Sequence, residues 1–145
     1  MMPELTHTRE ELQEHFLGMT GRSHTDTDVL AIEQYSPELI VATVTLNELQ
    51  LRPGGIVAGP ALFSIVDQMG YLVTISRAPK NSNGFTSAVA MQFLHPALVG
   101  TLRVEGRLLR FSRRASVVDT VLYGDSLDEP VAQAVVTYVP RFPAD

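Results

Sequence analysis

Cysteine and tryptophan are both absent from this chain of 145 residues. Without cysteine there is no disulfide, no thiolate nucleophile and no cysteine-ligated metal, a pattern that fits a reducing cytosol. Basic residues are scarce as well: eleven Lys and Arg face sixteen Asp and Glu, for a net charge of −5. That balance lacks the basic surface that nucleic acid demands of its main partner, although a local cluster can still hold a small anion. No apolar run reaches the ~20 residues that span a bilayer, because the longest is broken by Asp67. The opening MMPELTHTREELQEHF is polar and has no apolar signal-peptide core. A cytoplasmic protein with no membrane or nucleic-acid partner is the expectation.

Several chemical signatures are also missing. His7, His15, His24 and His95 show no metal-ligand spacing, so no metal and no cofactor is expected. Ser64 and Ser116 lack the GxSxG elbow of a serine hydrolase. The glycines near position 54 are followed neither by the Lys and Ser/Thr of a Walker loop nor by a GxGxxG fingerprint.

What is present is organised around Gly54 to Ile75, GGIVAGPALFSIVDQMGYLVTI. A glycine-rich loop runs into an apolar helix, and Pro60 suits the first helical turn because its missing N–H would have no intrahelical acceptor there. The helix is too apolar for a surface position and is read as embraced by the rest of the domain. Before it, Thr6 or Thr8 can cap a helix running to about Met19, with Leu5, Leu12, Phe16 and Leu17 as a loose apolar face. Val29 to Leu46 has strand character, divided by Pro37, which leaves Leu39 to Leu46 as the pairing strand. After the helix the period becomes two, in Phe85 to Leu94, Thr101 to Phe111, Ala115 to Tyr123 and Val131 to Val139. One strand, a long buried helix and four sequential strands predict an α+β domain with the helix against one face of an antiparallel sheet. A single domain spans residues 1–145, with residues 1–28 as a peripheral N-terminal helix and loop.

Three groups of residues are candidates for chemistry. Asp67 shares a helical stripe with Ser64, Gln68, Gly70, Tyr71 and Thr74. That stripe is either the solvated side of an amphipathic helix, which spacing alone favours, or a partly desolvated carboxylate poised as base or nucleophile. The loop from Gly54 to Pro60 can aim backbone N–H groups and a helix N-terminus at developing negative charge, or it can be a plain connection. Arg103, Arg107, Arg110, Arg113 and Arg114 form a basic run suited to a phosphate, or to a solvated face balanced by Glu105, Asp119 and Asp125.

Taken together, GGIVAGPALFSIVDQ, FTSAVAMQFLHPALVG and PVAQAVVTYV resemble the hotdog-fold acyl-CoA thioesterases of the phenylacetate-type, or PaaI-like, family. The resemblance covers about Leu39 to Val139. It implies a hotdog fold, an antiparallel sheet wrapped around a long central helix. It also implies hydrolysis of an acyl-CoA by Asp67 as base or nucleophile, Gly59 as the N–H donor to the thioester carbonyl, and Thr86 as the strand residue beside the acid. Arg52, Ala58 and Gln68 fall at substrate-binding positions, and Arg113 and Arg114 are placed to meet the nucleotide end of CoA. The usual loop His is Ala58 here, the second loop glycine is Pro60, and Arg52 stands where relatives carry Asn or Gln. A homodimer or dimer of dimers is implied, in which the acid of one subunit works with the loop and strand of the other. A non-catalytic acyl-CoA or small-ligand binder is the alternative.

Overall fold

The computed structural model describes residues 3–23, 29–46, 51–98 and 100–144. His24, with the rest of the loop toward Asp28, and Asn47 to Gln50 of the loop before the central helix lie outside the described residues. The first helix, α1, is Arg9–Thr20. Thr8 caps it, accepting from Glu11 N–H at 3.1 Å while Glu11 Oε1 accepts from Thr8 N–H at 2.9 Å, a reciprocal capping box. Lys80 also donates to Glu11.

These partners, Lys80 foremost, pull the Glu11 carboxyl down from 4.5 to about 2. A carboxyl whose folded pKa is depressed supports the fold above its unfolded pKa, and that support is lost as pH falls. Ionised Glu11, through Lys80 first and the capping box second, is therefore expected to contribute stability that disappears between about pH 4.5 and pH 2. Acid titration of the far-ultraviolet circular dichroism checks this: Glu11→Gln should remove the part of the acid transition lying in that window.

The sequence reading puts α1 at the periphery, but its apolar face is buried. Leu12, Phe16 and Leu17 join the same core cluster as the central helix, because an isolated amphipathic helix gains most of its stability by burying that face.

The main sheet has six antiparallel strands: β1 (Ala31–Tyr35), β2 (Ile40–Thr45), β5 (Asn83–Phe93), β6 (Thr101–Phe111), β7 (Ser116–Tyr123) and β8 (Pro130–Arg141), in the order β1-β2-β6-β7-β8-β5. The expected single strand before the helix is in fact a hairpin. Pro37 sits in a turn closed by Ser36 N–H to Leu39 C=O at 3.1 Å, and β1 pairs with β2 across it. The loop read as aperiodic contains a two-stranded ribbon, β3 (Leu51–Arg52) with β4 (Ile56–Val57).

The central helix, α2, is Gly59–Ile75 with Pro60 in its first turn, as its composition predicts. It lies over β5, β6, β7 and β8. Two glycines allow close approach. A Cβ on Gly70 would lie 2.5 Å from Val136 Cγ1, and one on Gly106 would lie 2.7 Å from Met69. Among the described residues, no helix is long and apolar enough to cross a membrane.

The two edges of the sheet differ. On β1 the side chain of Gln13 donates to Leu30 C=O at 3.0 Å and accepts from Ile32 N–H at 2.8 Å, while Arg9 donates to Ile32 C=O at 2.9 Å. Helix α1 thus engages the outward backbone groups at the start of β1, at Leu30 and Ile32. At the opposite edge, among the described residues, β5 pairs only with β8, and it carries exposed Phe85 and Phe93. An eleven-residue edge strand with exposed aromatic side chains is a template for another strand.

Candidate active site

Asp67 lies in the middle of α2, half-buried between apolar neighbours. Thr86 lies on β5, where the register shifts between Thr86 and Ala88. Such a bulge re-aims nearby side chains, and Thr86 Oγ1 donates a hydrogen bond to Asp67 Oδ1. The resemblance assigns the strand residue to the opposing subunit, whereas here acid and hydroxyl meet within one chain. Gln68 donates to Ser64 Oγ at 2.9 Å on the exposed side of the helix.

The polar stripe is only partly polar in space. Ser64, Asp67 and Gln68 reach the surface, but Gly70 and Tyr71 are buried and Thr74 is completely so. Thr74 Oγ1 donates to Gly70 C=O at 2.8 Å and shares a hydroxyl–hydroxyl hydrogen bond with Ser116 Oγ at 2.9 Å. Periodicity places residues on a stripe but does not give its width, and the glycine lets the sheet cover half of this one.

A cleft of about 270 Å³ opens over the pair, lined by Phe16 and Met19 of α1, Asp67, Gln68 and Tyr71 of α2, Gly84, Phe85 and Thr86 of β5, and Tyr138 of β8. Tyr138 is opposite Thr86 in the β5–β8 register and opposite Ser116 in the β7–β8 register. Its ring packs against that of Tyr71, with centroids 5.6 Å apart. Burial pushes the Tyr71 hydroxyl up to about 12. Burial first, then Tyr71 and Asp67, holds Tyr138 well above the ordinary tyrosine range. Both phenols keep their protons at neutral pH. His15 Nε2 lies 2.6 Å from Tyr71 Oη. Sequence reasoning did not identify Tyr138, His15, Phe16 or Met19 as site residues; the one available signal was a tyrosine on the apolar face of VVTYV.

The helix start lies in a second cleft, of about 310 Å³, lined by Arg52, Ile56, Val57, Gly59, Leu62 and Phe93 to Ala97. Ala58 is the N-cap with extended backbone and no side-chain bond, and Pro60 follows in the first turn. Gly59 therefore supplies the first N–H of the helix, which has no intrahelical acceptor. The Phe93 ring lies alongside Gly59, 3.7 Å from where a Cβ would be. Within one chain, then, Asp67, Thr86 and Gln68 line one cleft while Arg52 and Gly59 line another.

The arginines divide as well. Arg103 and Arg107 pair with Glu105 at 2.9 and 3.4 Å, the balanced-face alternative. A register shift between Leu108 and Arg110 ends the shared parity. Arg113 and Arg114 stand exposed in the β6–β7 turn, with the Arg113 guanidinium 4.8 Å from the centre of the Phe142 ring. Among the described residues no group of His, Asp and Glu is arranged to hold a metal.

A sequence model described as the Thioesterase superfamily matches residues 54–130. A protein of Saccharolobus solfataricus provisionally named as an esterase is 34% identical over 93 residues, 64% of this chain, and the match spans 61% of that relative's length. A crystal structure of a provisionally named thioesterase from a Silicibacter species superposes with a TM-score of 0.84 at 24% identity, covering 99% of this chain and 96% of that one. A Streptococcus mutans protein solved with bound acetyl-CoA superposes at 0.72 with 22% identity, over 85% of this chain and 98% of that one.

Proposed function

Since the chain belongs to the thioesterase superfamily, whose relatives of known structure share the hotdog fold found here, we propose that it hydrolyses an acyl-CoA thioester. The observation that carries this reading is the Thr86–Asp67 hydrogen bond at the mouth of a largely apolar cleft. The hydroxyl fixes one carboxylate oxygen and leaves the other to take a proton from water or to attack the carbonyl. Gly59 N–H at the helix start supplies the donor for the oxyanion, where the helix field also favours negative charge.

Donor and carboxylate lie in different clefts of one chain, and a second copy unites them. Gln13 and Arg9 engage the start of the β1 edge, while among the described residues nothing pairs with the free edge of β5. Two copies joining along β5 give a homodimer in which the Gly59 loop of one subunit faces Asp67 of the other, and such dimers can pair again. Arg52, Ala58 and Gln68 then border the thioester. Arg113 and Arg114 suit the phosphates of CoA, the ligand class seen on the Streptococcus mutans relative. Light scattering should return two or four times the 15.9 kDa of one chain; a monomer would leave the site divided and overturn this assembly.

The activity is tested by thiol release from a panel of acyl-CoAs, with free thiol appearing in a protein-dependent manner for at least one ester. One observation favours a second reading, a binder without turnover: the helix cap Ala58 offers no side-chain donor. CoA esters that raise the melting temperature but release no thiol at any chain length would establish it.

A further inference from the structure

The Asp67 cleft has a polar end that thioester hydrolysis leaves unused. Tyr138 is only 4% exposed, yet it lines this cleft. The Tyr71 hydroxyl is engaged by His15, whereas among the described residues the Tyr138 hydroxyl makes no hydrogen bond and is not sealed from the cleft. A phenol buried on nearly every side, with its one polar atom at an open cavity, is a donor waiting for an acceptor.

The remaining walls set the character of the occupant. Phe16 and Met19 of α1 and Phe85 of β5 are apolar and flank the tyrosines, and the space is about 270 Å³. An engineered cavity of about 150 Å³ takes one benzene, so this cleft has room for a short chain or a single substituted ring. Resting on the hydrolytic reading above, we propose that the cleft receives a compact acyl group bearing an oxygen substituent, hydroxyl or carbonyl, to which the Tyr138 hydroxyl donates. A plain alkyl group in the same place would cover the phenol without satisfying it. That leaves a buried donor unpaired, at a cost of roughly 5- to 150-fold in affinity. Tyr138 is thus a specificity residue, and Phe16 and Met19 of α1 supply apolar wall beside it.

The test compares matched pairs, butanoyl-CoA with 3-hydroxybutanoyl-CoA, hexanoyl-CoA with its 5-oxo analogue, and benzoyl-CoA with 4-hydroxybenzoyl-CoA. Calorimetry on the full-length Asp67→Asn protein measures binding without turnover. The oxygenated member of at least one pair should bind tenfold tighter or more, and adding Tyr138→Phe should reduce that ratio to near one by strengthening the plain ester relative to its partner. No preference in any pair, or a preference that survives Tyr138→Phe, overturns the assignment. The paired ratio needs no tyrosine variant, so misfolding of Tyr138→Phe would not rescue a failed proposal. Wild-type thiol release is read separately: absence of turnover with the ratio intact removes the hydrolase and keeps the specificity, and turnover without the ratio does the reverse.

Discussion

Asp67→Asn is expected to lower kcat for thioester hydrolysis by about 10²–10⁴, the usual contribution of a positioned base. The substitution is nearly isosteric, and the amide oxygen can still accept from Thr86 Oγ1, the bond that orients the carboxylate in the native protein. Asp67 is half-buried at a cleft and belongs to no core cluster, so the loss of its charge should cost no more than about 1–2 kcal/mol of stability. A folded, ligand-binding and inactive protein is the predicted combination. Parallel measurement of thiol release and thermal midpoint separates it from simple misfolding, and activity at the wild-type level would remove Asp67 from the reaction.

Gly70→Ala is expected to destabilise the protein by about 1–3 kcal/mol, a fall of roughly 3–10 °C in Tm. In an exposed helix interior the same change is worth about 1 kcal/mol in the stabilising direction. The sign reverses here because the new Cβ would sit 2.5 Å from Val136 Cγ1 and 2.9 Å from its Cβ. Val136 is β-branched, fully buried and on a strand flanked on both sides, so it cannot swing away. Gly18 on α1 supplies the control: nothing lies within 4 Å of its hypothetical Cβ, and Gly18→Ala should be neutral or mildly stabilising. Calorimetric melting of the two variants decides the point, and equal effects would mean that the helix does not ride on the sheet as closely as Gly70 requires.

The two substitutions also mark where reasoning from the sequence succeeds. Pro60 and the glycines before it announce the start of α2, and the switch from a helical to a two-residue period announces the strands, because both signals are carried by neighbours along the chain. Asp67 and Thr86 came forward as a pair through family resemblance, and the structure brings them into contact. Spacing groups Gly70 with the polar stripe, yet it is the point where β8 presses on the helix. Tyr138 looked like one more strand residue, since nothing local distinguishes a tyrosine packed in a core from one whose hydroxyl meets a cleft.

By itself the sequence determined the two helices, the four strands after α2 and the single acid on an otherwise apolar helix. Those follow from periodicity, turn residues and charge, all readable within a few positions. It did not determine the order of those strands: sequential segments favour a meander, whereas β5 pairs with β8 and leaves β6 to β2 and β7. Only the tertiary structure decided how α2 is rolled, through contacts such as Thr74 with Ser116 at 42 residues' separation. It also decided that α1 both engages the start of the β1 edge and lines the acid cleft, and that Gly59 and Asp67 open into different clefts of one chain. These depend on which faces meet when distant segments pack, and side-chain volume at points such as Gly70 and Gly106 sets that outcome.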